Sequence, residues 1–169
     1  CFIFVTGMHL IKKYGYTINE IYFTFKKSSI YRFDNQSSKN DLDIILSKTI
    51  NGFSKYLKKI KPDLVIIHGD RIETLASAIS CSVNNYLVAH IEGGELSGSI
   101  DEHIRHAVSK LSHLHFVSNR EAEKKLLKMG ENKKSIFVVG SPDFDVMKEN
   151  MMPPMVDVKK RYNFEYNKY

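Results

Sequence analysis

The sequence predicts an α/β domain in which helices cover both faces of a parallel β-sheet. Short apolar runs rich in β-branched residues alternate with longer segments whose apolar residues recur every three or four positions. Parallel neighbours need crossover connections, and the longer segments have the length of crossover helices. Strands covered on both faces should read as continuous apolar runs, and residues 64–67 (LVII) do so.

The N-terminal elements are a strand over residues 1–6, which runs into Gly7, and a helix over residues 41–60. The apolar residues of that helix lie on one face: Leu42, Ile45, Leu46, Ile50, Phe53, Leu57 and Ile60. Pro62 ends the helix. Because the first residue is not Met and the chain starts within a strand, we expect a preceding segment to be missing.

The strand and helix pattern then continues towards the C terminus. Strands are predicted at residues 64–67, 87–91, 115–117 and 136–139, and helices at Ile72–Val83, 102–111 and 120–129. Residues 1–150 are predicted to form one domain. Residues 151–169 open with the sequence MMPP and are predicted to be a linker or the truncated start of a second domain.

Composition restricts the class of protein. With 169 residues, 43% hydrophobic and 26% charged, the chain fits one soluble domain. It contains neither the roughly 18-residue apolar run of a membrane span nor a signal peptide, so we expect a cytoplasmic protein. Cys1 and Cys81 suggest neither a disulfide nor a zinc site. The net charge of +6 is spread over short lysine pairs, which disfavours nucleic acid and suits a phosphorylated small molecule.

Three carboxylates follow predicted strand ends, where ligands bind in open parallel sheets. Asp70 and Glu92 come directly after strands, and Asp101 begins the next helix. For Asp70, helix capping and a functional role are equally favoured. For Asp101, helix capping is the favoured interpretation. Glu92 has no capping role, and Gly93 and Gly94 after it permit close approach of a backbone or ligand, so a function is favoured there.

The histidines and Arg105 carry alternative interpretations. His103, His106, His113 and His115 would offer metal ligands together with Asp70 and Glu92, as in a metal-dependent hydrolase, but no HxH or HExxH element fixes such a geometry. Arg105 lies one turn after Asp101 on the same helical face. It would form a surface ion pair, reach a phosphate or hold Asp101.

Several motifs, in order, resemble the hydrolysing UDP-N-acetylglucosamine 2-epimerases. They are residues 5–10 (VTGMHL), 67–71 (IHGDR), 89–95 (AHIEGGE), 100–106 (IDEHIRH), 110–116 (KLSHLHF) and 139–142 (VGSP). The segment 100–106 is more similar to the hydrolysing branch than to the non-hydrolysing branch, which usually carries a Pro-Glu-Glu-type sequence there. The resemblance spans most of residues 1–150.

The resemblance implies a Rossmann-like N-terminal half of a glycosyltransferase-B-like two-domain fold. It implies a homodimer and a reaction that converts a UDP-sugar to N-acetylmannosamine and UDP through a glycal-like intermediate, with no cofactor and no metal. Asp70, Glu92 and Asp101 match the family's acidic residues. Glu92 is the predicted base for the C2 proton, with a pKa raised by partial burial. The predicted substrate-binding residues are His9, Arg105, His68 and Gly93.

Two departures from the family pattern and three alternatives remain. The family has a strand and a phosphate loop before the equivalent of Cys1, and a uridine-binding domain after the equivalent of Asn150, so the isolated chain is expected to be inactive. The substrate would alternatively be a UDP-linked 2,4-diacetamido-6-deoxy sugar. A non-catalytic module that binds nucleotide sugars and the metal-dependent hydrolase are the other two possibilities.

Overall fold

The computed structural model describes residues 1–26, 28–36, 41–147 and 152–162. Strands and helices alternate within them. Their bounds are β1 Phe2–Val5, α1 Ile18–Thr24, β2 Ser29–Arg32, α2 Leu42–Ile60, β3 Val65–His68, α3 Ile72–Val83, β4 Val88–Ile91, α4 Ile100–Lys110, β5 Leu114–Val117, α5 Arg120–Lys128, β6 Ile136–Val138, α6 Pro142–Val146 and α7 Met155–Tyr162. The α/β class and the Rossmann-like arrangement are confirmed.

The strands form two parallel sheets. One contains β3, β4, β5 and β6 in that order, and the other contains β1 and β2. In the part of the chain that the structure describes, no pairing joins β1 to β3. Because β3 to β6 are parallel and consecutive, their carboxyl ends meet at one edge of the sheet.

Helix α2 connects the cores of the two sheets. Its buried face contributes Phe53, Tyr56 and Leu57. Phe4 of β1 meets the Phe53 ring edge-on at a centroid distance of 4.8 Å, and Ile67 of β3 belongs to the same buried cluster. Removing these side chains from water at about 25 cal/mol per Å² is the main stabilising contribution of this helix.

Burial differs between β3 and β4. Val88, Ala89 and His90 of β4 are fully buried, as expected of a central parallel strand. In contrast, Ile66 of β3 is 63% exposed. The prediction that residues 64–67 are buried on both faces is therefore wrong, because β3 is an edge strand of its sheet.

The predicted elements agree with the structure to within two residues at each end, but four short ones were not predicted. α1, β2 and α6 contain only seven, four and five residues, too few for a periodic pattern to stand out. Helix α7 lies within the predicted linker or tail. The boundary between residues 150 and 151 falls outside the described residues, so the division into 1–150 and 151–169 stays a prediction.

Both capping interpretations are wrong. Helix α4 begins at Ile100, and its cap is Ser99, whose Oγ accepts a hydrogen bond from the Asp101 amide at 3.2 Å. Helix α3 follows Arg71 as its N-cap residue, with no side-chain cap. Asp70 precedes that position and is paired elsewhere. In the described ranges, no helix is long and apolar enough to cross a membrane, and both cysteines are free thiols.

Candidate active site

The predicted strand-end residues lie at one edge of the larger sheet. β3 and β4 are paired so that His68 lies opposite Ile91, which brings the residues that follow each strand side by side. A cleft of about 270 Å³ opens there. It is lined by His68, Gly69, Asp70, Arg71, Glu92, Glu95 and Arg105. Four of the predicted site residues, His68, Asp70, Glu92 and Arg105, thus line one cleft.

Glu92 is held tightly on both backbone and side chain. Its φ is +62°, an uncommon value for a residue with a Cβ, and its amide donates to the carbonyl oxygen of Phe116 at 2.8 Å. Ser141 Oγ donates to Oε1 at 2.5 Å, and His68 Nε2 contacts Oε2 at 2.7 Å. A strained backbone with both carboxylate oxygens occupied fixes the direction of this carboxylate.

The pKa of Glu92 corrects one expectation. Burial acts to raise it, but hydrogen bonds from Ser141 and His68 and electrostatic interactions with His68 and Arg105 outweigh burial. The net pKa lies below the ordinary value of 4.5. The expectation of a raised pKa is wrong, because both oxygens accept hydrogen bonds that favour the ionised form. Glu92 is an oriented anion at neutral pH.

Asp70 and Arg105 form a pair across the cleft. An Arg105 Nη2 hydrogen bond reaches Asp70 Oδ2, and Arg105 Nη1 donates to the carbonyl oxygen of Glu95 at 3.1 Å. The Asp70 side chain is 23% exposed and the Arg105 side chain is 12% exposed. Since charged hydrogen bonds are stronger when partly withdrawn from water, Arg105 holds Asp70 and the 92–96 loop together. This replaces the surface ion pair that the sequence suggested.

The remaining predicted residues lie outside the cleft lining. His9 is in the short helix Gly7–Leu10, where its Nδ1 contacts Thr17 Oγ1 at 2.7 Å. Asp101 is exposed in the first turn of α4, and its Oδ2 accepts from Ser99 Oγ at 3.3 Å. Gly93 is buried beneath the cleft. Their roles in substrate binding and catalysis stay predictions.

The glycines after Glu92 allow close packing within the chain. A Cβ on Gly93 would lie 2.7 Å from Ser109 Oγ and 2.9 Å from His90 Nδ1. Gly94 has a φ of +82°, and a Cβ there would lie 2.5 Å from the carbonyl oxygen of Ala122. These positions require glycine because the backbone lies directly against α4 and α5.

Three of the four histidines considered as metal ligands make other contacts. His106 Nε2 lies 3.7 Å from Glu102, His113 Nδ1 accepts from the Val88 amide at 3.2 Å, and His115 Nε2 lies 3.2 Å from Glu131. Among the residues whose placement is described, no group of three or more His, Cys, Asp or Glu side chains is arranged to hold a metal ion.

Sequence reasoning did not assign Ser141, Arg71 or Glu95 to the site. Ser141 follows β6 by three residues, so the strand-end rule that located Asp70 would also have found it. A larger groove of about 510 Å³, lined by the 94–96 loop and α5, shares Glu95 with the cleft. Asp70 and Glu92 are not among the residues that line this groove.

His90 gives the site a pH-dependent stability. Burial lowers the pKa of His90 from 6.5 to about 4, although the contact with the Gly69 carbonyl partly opposes this. As the pH falls from about 6.5 to 4, the unfolded histidine takes up a proton and the folded one does not. We therefore expect the free energy of unfolding to decrease by roughly 3 kcal/mol from this residue over that range, with no contribution above it.

Urea unfolding at a series of pH values checks this expectation. Burial also lowers the pKa values of His115 and His106, so the pH dependence of the free energy of unfolding of the wild type contains their contributions. The difference between wild type and His90→Gln isolates His90. If the free energy of unfolding of the two proteins changed equally between pH 6.5 and 4, the assignment of a buried neutral imidazole to His90 would be contradicted.

Comparison with known proteins gives consistent relatives. The family described as UDP-N-acetylglucosamine 2-epimerase matches residues 1–167. The chain is 45% identical to the UDP-N-acetylglucosamine 2-epimerase of Neisseria meningitidis serogroup B, over 98% of this chain and 44% of the relative. It is 38% identical to the UDP-N,N'-diacetylbacillosamine 2-epimerase (hydrolyzing) of Legionella pneumophila, over 97% of this chain and 44% of the relative.

A further relative and a solved structure extend these likenesses. The chain is 31% identical to the polysialic acid biosynthesis protein P7 of Escherichia coli, over 98% of this chain and 43% of the relative. The fold is similar to that of UDP-GlcNAc 2-epimerase from Neisseria meningitidis bound to UDP-GlcNAc, with a TM-score of 0.74 and 17% identity over 98% of this chain and 54% of that one. The chain thus spans about half the length of these proteins.

Proposed function

Because this chain belongs to the UDP-N-acetylglucosamine 2-epimerase family, we propose that it supplies the proton-transfer half of a hydrolysing 2-epimerase. The proposed substrate is UDP-N-acetylglucosamine, and the products are N-acetylmannosamine and UDP, for sialic acid synthesis. A relative named as a polysialic acid biosynthesis protein supports this pathway. The cytoplasm and a homodimer are the proposed setting.

The proposed reaction has two stages. In the first, a base removes the C2 proton and the bond between C1 and the UDP oxygen breaks, which leaves a C1–C2 double bond and free UDP. In the second, water adds its hydroxyl to C1, and a proton is delivered to the opposite face of C2. The sugar released is N-acetylmannosamine, and the atoms balance without an oxidant or reductant.

The orientation of Glu92 in the cleft is the observation that carries this proposal. Its carboxylate lies at the end of β4, 19% exposed, in the same cleft as Asp70. The hydrogen bonds hold the ionised carboxylate in place and reduce the reorientation needed during reaction. They also lower its pKa, so it is a weaker base than a carboxylate whose pKa is raised by burial. Because of its fixed orientation, Glu92 takes the role of base, while Asp70 and Asp101 are proposed to act in the second stage.

Positive charge near the cleft is proposed to bind the diphosphate. Arg71 lines the cleft, and its Nη1 lies 2.9 Å from Met8 Sδ, next to His9 in the chain. Arg71 and His9 are proposed to act together on a phosphate. Arg105 is committed to Asp70 and to the Glu95 carbonyl, so its proposed role is to hold the acid residue.

Identification of the sugar product tests the proposed function. The complete gene product that contains this chain is incubated with UDP-N-acetylglucosamine and EDTA, and the products are followed by proton NMR. We expect free N-acetylmannosamine and UDP. UDP-N-acetylmannosamine would instead place the protein in the non-hydrolysing branch. Activity that EDTA abolishes and a divalent ion restores would favour the metal-dependent hydrolase.

A second candidate substrate is UDP-N,N'-diacetylbacillosamine. The 38% identity to an enzyme named for that substrate favours it. The two sugars differ around C4 and C6. Parallel assays of both sugar nucleotides with the same protein distinguish them by the ratio of kcat/KM, and a higher value for the diacetamido sugar would replace the first proposal. Lack of turnover with both would favour a non-catalytic binding module.

A further inference from the structure

A buried histidine connects three elements beneath the cleft. His90 of β4 is 0% exposed. Its Nε2 lies 2.9 Å from the carbonyl oxygen of Gly69, the residue before Asp70, and its Nδ1 lies 3.1 Å from Ser109 Oγ on α4. A fully buried polar side chain with two hydrogen-bonding atoms needs a partner for each, and His90 has both.

The partners determine where the imidazole carries its proton. A carbonyl oxygen only accepts, so Nε2 must carry the hydrogen that reaches Gly69. Burial lowers the pKa of His90 to about 4, so the ring is neutral and Nδ1 is left as an acceptor. The Ser109 hydroxyl is the donor that faces Nδ1, and it shares its single proton between Nδ1 at 3.1 Å and the Arg105 carbonyl oxygen at 3.0 Å.

These contacts form a closed network that includes the ion pair between Asp70 and Arg105. Asp70 is joined to Arg105 by their ion pair, and Arg105 is one turn before Ser109 on the same helix. His90 then links Ser109 back to Gly69. Gly93 packs directly over the Ser109 and His90 contact, where a side chain would not fit. The carboxylate of Asp70 is thereby located from both its backbone and its side chain.

We propose that His90 is a positioning residue for Asp70, holding the Gly69 carbonyl through Nε2 and α4 through Ser109. The inference rests on the proposed function, since it assigns Asp70 to the second stage of that reaction. His90 touches no reacting atom and acts through Asp70. If this network of contacts is broken, Asp70 moves from its position, and the glycal intermediate escapes before water is added.

Two substitutions of His90 separate the contacts. His90→Gln places an amide N–H near the position of Nε2 and keeps the donor to Gly69, whereas His90→Leu removes it. For a displacement of about 1 Å we expect His90→Leu to lower the rate of N-acetylmannosamine formation by about 100-fold. KM should change by less than about threefold, since the contacts that bind the substrate and the transition state equally are retained. Free glycal should accumulate, and His90→Gln should restore most of the product.

The control is a histidine that contacts the first residue of the same strand, Val88. His113 accepts a hydrogen bond from the Val88 amide and is outside the cleft, so His113→Gln is expected to leave the rate and the glycal fraction unchanged. All proteins are assayed below their unfolding temperatures, as followed by circular dichroism. A folded His90→Leu protein with wild-type kcat and no glycal would overturn the proposal, as would equal losses in the Leu and Gln variants.

NMR of the complete gene product tests the positioning without turnover. Long-range proton–nitrogen spectra should show His90 as the neutral Nε2–H tautomer at pH 7, and the amide signals of Gly69 and Asp70 should shift in His90→Leu and return in His90→Gln. The Nδ1–H tautomer, or unshifted amides, would overturn the inference. A wild-type protein that turns over neither sugar nucleotide would instead overturn the proposed function, so the two failures are distinguishable.

Discussion

Replacing Glu92 with Gln is expected to lower kcat for UDP release by about 10²–10⁴-fold, the usual contribution of a general base. The variant removes the negative charge and the proton-accepting oxygen but keeps the shape of the side chain. Its amide oxygen still accepts a hydrogen bond from Ser141 or His68, so we expect the fold to persist. Initial rates of UDP release by the complete gene product measure the effect.

The control for this substitution is Glu121→Gln. Glu121 is on α5, with a side chain that is 80% exposed and bonded to Lys124, so the same loss of charge there should leave kcat unchanged. A Glu92→Gln enzyme that releases UDP at a near-normal rate would remove Glu92 as the base. The proton acceptor would then have to be sought among the other side chains that line the cleft.

Breaking the Asp70 and Arg105 pair from one side is expected to destabilise the folded protein substantially at pH 7. Arg105→Met leaves the Asp70 carboxylate partly buried without its partner. Because the pair is not fully withdrawn from water, we expect a loss of roughly 2–3 kcal/mol, below the ~3–5 kcal/mol typical of a fully buried pair. Urea unfolding at pH 7 measures the loss, and product formation should decrease as well.

A double-mutant cycle distinguishes the pair from general packing. Asp70→Asn combined with Arg105→Met leaves no unpaired charge, so the double variant should regain part of the stability that Arg105→Met alone loses. Lys124→Met, which removes one partner of an exposed ion pair on α5, should leave stability unchanged. Additive losses in the cycle would mean that the two side chains are not coupled in the folded protein.

The elements that the sequence predicted best are those whose local pattern is long. The period of apolar residues in α2 and the apolar run at β4 produced bounds close to the observed ones. The short α1 and β2 gave no such signal, because seven and four residues carry too little periodicity. The error at Ile66 had another cause. An apolar run indicates burial in general, and the position of a strand at the edge or centre of a sheet depends on its neighbours.

The site divides in the same way. The sequence by itself determined that Asp70 and Glu92 follow parallel strands. Because parallel strands end at the same edge of a sheet, the two residues were predicted to lie at one edge. Only the tertiary structure decided what each carboxylate meets there: Ser141, 49 residues after Glu92, and Arg105, 35 residues after Asp70. Hydrogen bonds from Ser141 and His68 lower the pKa of Glu92, whereas burial alone would raise it. The period of apolar residues is determined by residues close together in the sequence, whereas the charge state of a side chain depends on contacts that form only when the chain is folded.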